Sequence, residues 1–215
     1  MIRILQFRSP RGKVFQPPHY KYFGIPLEFA QQQYSFLMDN IFFASIYNLA
    51  FKNVWTDTLI ILFAAYWEFV VVAVLLFYLW TPKLRKSDLR TRALHTGLAL
   101  FSALFARFGV TSLIRFLYPR ERPFVFGGLD ALINQNPLEA SFPSGHATFF
   151  MALAVYFLLI GQRKLGIFLF VSAILIGVAR VAAGVHWPSD VLAGWAIGAV
   201  VSYVIFWFTK NKFNK

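Results

Sequence analysis

The sequence has no cysteine and little charge. The absence of cysteine excludes a disulfide, a thiolate metal site and a cysteine nucleophile. Only 14% of the 215 residues are charged, and acidic residues are the scarcest, with 9 against 21 lysines and arginines. A composition so poor in charge is atypical of a soluble domain of this length. Hydrophobic residues make up 58% of the chain, so a polytopic membrane protein is expected.

Four apolar runs have the length of about 20 residues that an α-helix needs to cross a bilayer. These runs are residues 58–80, 94–118, 165–185 and 189–209. A shorter run follows His146 and ends near Gly161. The predicted fold is therefore an all-α bundle of five or six transmembrane spans, in a single domain that covers residues 53–209.

The segments outside that domain are more polar. Residues 1–26 form a basic arm, and residues 210–215 form a basic tail. Residues 27–52 mix apolar and polar side chains, a composition that favours an amphipathic helix in the membrane interface over a span. If this segment does span, the bundle has six spans instead of five and the arm lies on the other side of the membrane.

Three polar motifs occur at the ends of the apolar runs. They are Arg115-x6-Arg122-Pro123, Pro143-Ser144-Gly145-His146 and Arg180-x5-His186-x3-Asp190. Because successive spans alternate in direction, these ends emerge on the same face of the membrane. The motifs are therefore predicted to form one site.

The arginines of these motifs suit a phosphate group. Arg115, Arg122 and Arg180 carry planar guanidinium groups that can contact phosphate oxygens in a bidentate way. Ser144 and the Gly145 amide lie at a predicted helix start, where an anion is favoured. These five residues are the predicted phosphate-binding set.

The two histidines of the motifs have different neighbours. His186 is followed four residues later by Asp190, whose carboxylate can hold one ring nitrogen while the other attacks phosphorus. His186 is therefore the candidate nucleophile. His146 has no acidic residue close by in the sequence, so it is the candidate general acid for the leaving oxygen.

The motifs resemble the signature of the type 2 phosphatidic acid phosphatase superfamily, the membrane lipid phosphate phosphatases. That signature reads Lys-x6-Arg-Pro, Pro-Ser-Gly-His and Ser-Arg-x5-His-x3-Asp, and the match covers about residues 57–209 of this chain. The resemblance implies a phosphohistidine at His186, proton donation by His146, and neither metal nor cofactor. Arg115 replaces the usual lysine and Ala179 the usual serine, changes expected to affect rate or headgroup preference rather than the reaction.

The short architecture and compact loops are most similar to the bacterial undecaprenyl-diphosphate phosphatase branch of that superfamily, which recycles the cell-wall carrier lipid. The resemblance implies an isoprenyl diphosphate as substrate. Phosphatidic acid and phosphatidylglycerophosphate are the alternative substrates. A lipid-to-lipid phosphotransferase and a non-catalytic lipid-binding protein are the alternative functions.

Basic residues gather on the face opposite the motifs. They are Lys83, Arg85, Lys86, Arg90, Arg92, Arg163, Lys164, Lys210, Lys212 and Lys215, against one acid, Asp88. The positive-inside rule makes that face cytoplasmic, so the site is predicted on the outer or periplasmic side of the cell membrane. Because these residues are spread over loops, the expected partners are the lipid bilayer and a lipid substrate, not nucleic acid.

Four further charged residues lie near the motifs. Glu68 and Arg107 fall inside apolar runs, where ionisable groups are costly, and we expect an ion pair between the first two spans. The alternative for this pair is a contact with the phosphate site or with a polar part of the lipid. Arg120 and Glu139 lie in loop sequence and are expected to be solvated, although Arg120 could contact a second phosphate and Glu139 is close enough to contact a headgroup.

Overall fold

A computed structural model describes residues 39–80 and 89–210, and every regular element in these ranges is helical. The basic arm, the start of the 27–52 segment, residues 81–88 and residues 211–215 lie outside the described residues. The helices are α1, residues 39–47; α2, Val54–Trp80; α3, Leu89–Leu117; α4, Pro123–Phe126; α5, Gly145–Leu159; α6, Arg163–Ala182; and α7, Pro188–Thr209. The predicted all-α class is confirmed for this part of the chain.

Four of the helices, α2, α3, α6 and α7, are long and apolar enough to cross a membrane. They have 27, 29, 20 and 22 residues, and an 18-residue window in each has a mean hydropathy of 2.6, 1.7, 2.4 and 2.0, respectively. Helix α5 has 15 residues, and at 1.5 Å per residue it extends about 22 Å, less than a hydrocarbon core of about 30 Å. The described residues thus contain four such spans, and a fifth or sixth span stays a prediction.

Helix α5 lies at the centre of the bundle, packed against α3, α6 and α7. Ten of its 15 residues are buried. Two glycines let α7 approach it closely. A Cβ added at Gly194 would lie 2.7 Å from Ser144 O, and one added at Gly198 would collide with Thr148 O. This close packing places the starts of α5 and α7 side by side.

The start of α7 is fixed by its own first residues. Pro188 occupies the first helical position, where its missing N–H costs nothing. Asp190 Oδ2 accepts a hydrogen bond from Trp187 N at 2.8 Å, which caps the helix. The side chain of Asp190 is therefore oriented by the same contact that begins the helix.

Two membrane-embedded segments are wound as π-helix, Leu62–Tyr66 within α2 and Phe105–Val110 within α3. Single π-helical turns are rare and frequently occur at functional sites. Ala64 O, in the first, accepts a hydrogen bond from Arg180 Nη1 at 3.0 Å, and the second contains Arg107. Both π-helical turns therefore lie next to charged side chains: Arg180 of the third motif contacts the first turn, and Arg107 belongs to the second.

Helix α1 packs on the loops at that same end. Its buried positions recur every four residues, at Asp39, Phe43 and Tyr47. The Phe43 ring centre lies 5.1 Å from that of Trp187, and Tyr47 Oη donates to Asp130 O at 2.7 Å. The helix ends at residue 47, earlier than the predicted boundary at residue 52.

Candidate active site

The three sequence motifs meet at one end of the bundle. The first lies between α3 and α4, the second at the start of α5, and the third between α6 and α7. Ser144 N donates to Asp190 O at 2.9 Å, which joins the second motif to the third. Arg115 donates through Nε and Nη2 to Pro143 O at 3.2 and 2.9 Å, which joins the first motif to the second. The structure thus brings the predicted site residues together.

His186 lies in the turn between α6 and α7 and is 1% exposed. Its Nδ1 lies 3.4 Å from Asp190 Oδ2. Burial lowers the pKa of His186 well below its ordinary value, and the positive charges of Arg180, Arg122 and Arg115 lower it further. The ring is therefore neutral at neutral pH. With its Nδ1 proton held by the carboxylate, Nε2 carries a free lone pair.

Arg120 is a second partner of Asp190. Its Nη1 donates to Asp190 Oδ1 at 2.8 Å and to Ser189 Oγ at 2.6 Å, and its Nη2 donates to Asp39 Oδ2 at 2.6 Å. The expectation of a solvated Arg120 is therefore wrong. Its two carboxylate partners are buried, and a buried carboxylate is stable only when it is paired or hydrogen-bonded. They lie 70 and 81 residues away in sequence, so no local pattern indicates the contact.

Arg122 is almost fully buried and is held by two carbonyl groups. Its Nη1 donates to Val185 O at 3.1 Å and its Nε to Glu139 O at 3.2 Å. Burial lowers the pKa of Arg122, and the negative charge of Glu139 opposes that shift. Glu139 Oε2 lies 3.5 Å from Arg122 Nη2, so this acid, although 55% exposed, is paired rather than simply solvated.

Two buried polar atoms of the site have no hydrogen-bond partner among the described residues. They are Arg180 Nε and Ser144 Oγ. A buried donor without a partner is costly. Phosphate oxygens accept hydrogen bonds from both of these groups. The two atoms therefore fit an anionic ligand placed beside His186.

His146 occupies the second position of α5 and lies between two charged groups. Its Nε2 is 3.5 Å from Glu68 Oε2, and its Nδ1 is 3.4 Å from Arg107 Nη1. The direct ion pair expected between Glu68 and Arg107 is not among the contacts of the described residues. Instead the imidazole ring lies between the two side chains and contacts both.

The remaining motif positions lie within this cluster or at its border. A Cβ added at Gly145 would lie 3.0 Å from Arg107 Nη1, so this guanidinium sits over the start of α5. Ala179, the position where the family signature has serine, is buried in an apolar cluster with Ala183 and Val185. Among residues 39–80 and 89–210, no group of three or more histidines and acids could hold a metal ion.

A cavity of about 370 Å³ adjoins the cluster. His146, Glu68 and Arg180 line its polar side together with Asn134 and Gln135 of the loop that precedes α5. The other lining residues come from α2 and from the same loop and are mostly apolar: Ile61, Ala65, Tyr66, Leu132 and Ile133. A cavity with charged groups beside an apolar, membrane-embedded helix suits the headgroup of a lipid.

Residues 92–214 match the family model described as the PAP2 superfamily. The chain is similar to the undecaprenyl-diphosphatase of Sulfolobus acidocaldarius, with 31% identity over 127 residues that cover 59% of this chain and 62% of that protein. It is also similar to undecaprenyl-diphosphatase BcrC of Bacillus subtilis, with 28% identity over 167 residues that cover 78% and 82%. The crystal structure of Aquifex aeolicus LpxE has the same fold, with a TM-score of 0.61 and 23% identity over 79% of this chain and 94% of that one.

The family match covers more than half of the chain, which therefore belongs to the PAP2 superfamily. The class is that of membrane phosphatases, and the chain is a hydrolase of lipid phosphate esters or anhydrides. All three motifs lie inside the matched residues 92–214. Glu68 and helix α1 lie outside that range.

Proposed function

We propose that the protein is a metal-independent lipid phosphatase that hydrolyses an isoprenyl diphosphate, undecaprenyl diphosphate, to the monophosphate. The observation that carries the proposal is the buried His186, whose Nδ1 lies 3.4 Å from Asp190 Oδ2. Arg115, Arg122 and Arg180 are close enough for their charges to act on its ring. A neutral histidine among arginines is suited to attack a phosphate that those arginines bind.

The terminal phosphate of the substrate is bound first. Arg115, Arg122 and Arg180 contact its oxygens, and Ser144 Oγ and the Gly145 amide donate to them from the start of α5. These donors are held by the fold before the substrate arrives. They therefore stabilise the charge that spreads over the phosphate oxygens during transfer.

The first chemical step forms a phosphohistidine. Nε2 of His186 attacks phosphorus, and the bond from phosphorus to the bridging oxygen breaks. The bridging oxygen takes a proton from His146 and leaves as part of the lipid monophosphate. Asp190 stabilises the positive charge that develops on the His186 ring.

The second step releases phosphate. A water molecule attacks the phosphohistidine and gives a proton to His146, which is the general base in this direction. The bond between phosphorus and Nε2 breaks, and inorganic phosphate departs. His186 is then neutral again and His146 again carries the proton for the next turnover.

The choice of substrate is supported by two relatives, both named as undecaprenyl-diphosphatases. A substrate panel tests it: the purified protein is assayed for phosphate release from undecaprenyl diphosphate, phosphatidic acid and phosphatidylglycerophosphate. We expect the highest kcat/KM for the isoprenyl diphosphate. A much higher kcat/KM for either glycerolipid would contradict the choice. Labelled acceptor lipid formed in place of free phosphate would indicate a phosphotransferase.

We propose further that the site faces the outer or periplasmic side of the cell membrane. The described basic residues Arg90, Arg163, Lys164 and Lys210 lie at helix ends opposite to the motifs, which supports this orientation. Because the chain has no cysteine, single cysteines can report on each side. An impermeant maleimide on intact cells should label Leu138→Cys but not Gln162→Cys. The reverse pattern would exclude this orientation.

A further inference from the structure

Glu68 contacts His146 but no residue of the phosphate-binding set. Its Oε2 lies 3.5 Å from His146 Nε2. It belongs to α2, outside the residues that match the family. A carboxylate inside a membrane-spanning helix is costly and is usually retained for a function. The contact with His146 therefore indicates a role in the proton transfer rather than in phosphate binding.

We propose that Glu68 is a positioning residue that stabilises the protonated form of His146, an inference that rests on the proposed function. In that form both ring nitrogens carry a proton. The Nε2 proton stays hydrogen-bonded to the Glu68 carboxylate, which offsets the positive charge of the ring. The Nδ1 proton is the one that passes to the bridging oxygen.

The surroundings of Nδ1 support this division of roles. Arg107 Nη1 lies 3.4 Å from Nδ1 and close to the start of α5, at Gly145. A guanidinium only donates hydrogen bonds, so Nδ1 accepts from Arg107 in this arrangement. The start of α5 is also where the phosphate is proposed to bind. When phosphate oxygens accept the Arg107 hydrogen bonds instead, Nδ1 is free to carry the proton that passes to the oxygen that leaves.

The local winding of α2 favours the contact between Glu68 and His146. The π-helical turn Leu62–Tyr66 ends two residues before Glu68. A π-helical turn changes the direction of the side chains that follow it. Arg180 Nη1 donates to Ala64 O within this turn, so the segment is tied to α6 of the catalytic end. Glu68 is thus held on the side of α2 that faces the site.

The way kcat/KM depends on the leaving group distinguishes a role of Glu68 in proton donation from a purely structural role. A phosphate ester with a poor leaving group needs the proton from His146, whereas p-nitrophenolate departs readily without it. The test measures kcat/KM for phenyl phosphate and p-nitrophenyl phosphate, because kcat/KM reports the steps through formation of the phosphohistidine. The variants are Glu68→Gln and, as a matched control, Glu121→Gln, whose exposed side chain lies in the loop of the same end.

We expect Glu68→Gln to lower kcat/KM for phenyl phosphate about tenfold, part of the 10²–10⁴-fold that general acids contribute. The value for p-nitrophenyl phosphate should change less than about twofold, and Glu121→Gln should match the wild type with both esters. An equal loss with both esters, or no loss with either, would overturn the role of Glu68. Full activity of His186→Ala would instead overturn the proposed function itself, so the two failures are distinct.

Discussion

Asp190 connects the folding of a helix to the orientation of the His186 ring, the proposed nucleophile. Oδ2 accepts the capping hydrogen bond from Trp187 N and faces His186 Nδ1, while Oδ1 accepts from Arg120. Three neighbours therefore determine the position of one buried carboxylate. A reactive group that is held in this way by supporting contacts can keep its productive geometry without help from the substrate.

Arg120 should accordingly act on catalysis through Asp190. Arg120→Lys keeps the positive charge but loses the planar group that contacts Asp190, Ser189 and Asp39 at once. We expect kcat on the preferred lipid to fall about tenfold or more, because a displacement of about 1 Å in a catalytic group can cost on the order of a hundredfold. The measurement is steady-state turnover, with thermal unfolding to show that the variant is folded.

Arg163→Lys is the matched control for this change. Arg163 is exposed at the opposite end of the bundle, at the start of α6. This variant should retain wild-type turnover. A folded Arg120→Lys protein with wild-type kcat would show that Arg120 does not position Asp190.

At the scale of helices, hydropathy predicts the long spans well. The predicted runs 58–80 and 189–209 correspond to Val54–Trp80 and Pro188–Thr209. The structure adds four residues at the start of the first, because Asn53 Oδ1 caps that helix by accepting from Thr56 N at 2.9 Å. Apolar runs identify such helices because lipid and protein interior both select apolar side chains.

The same argument explains why the number of spans could not be read from hydropathy alone. Helix α5 is strongly apolar, yet most of its residues are buried against other helices. An apolar residue in contact with protein and one in contact with lipid look the same in sequence. Length alone distinguishes α5, whose 15 residues are fewer than those of α2, α3, α6 and α7.

The π-helical turns and the docking of α1 were not predictable. The pattern of apolar residues does not reveal that Leu62–Tyr66 is wound as π-helix instead of α-helix. The direction of the Glu68 side chain could therefore not be inferred from the sequence. The contact between Asp39 and Arg120 joins residues 81 positions apart. The motif residues were predictable because their spacing is local, whereas their supports come from distant parts of the chain.

For the whole molecule, the arrangement of charge agrees with a site at one membrane surface. The motif arginines lie at the ends of α3 and α6 and in the loop before α4, whereas other basic residues lie at the opposite helix ends. At the motif end the arginines lie around His186, and Arg180 also lines the cavity. At the opposite end the described basic residues can contact anionic headgroups.

The central claim is that His186 becomes phosphorylated, and a trapped intermediate tests it most directly. The wild-type protein and His186→Ala would be mixed with substrate labelled in its terminal phosphate and quenched within milliseconds in alkali, which preserves phosphohistidine. We expect label on the peptide that contains His186 in the wild type, lost on acid treatment, and neither label nor turnover in the variant. Acid-stable label, label on another residue, or turnover by His186→Ala would contradict the mechanism.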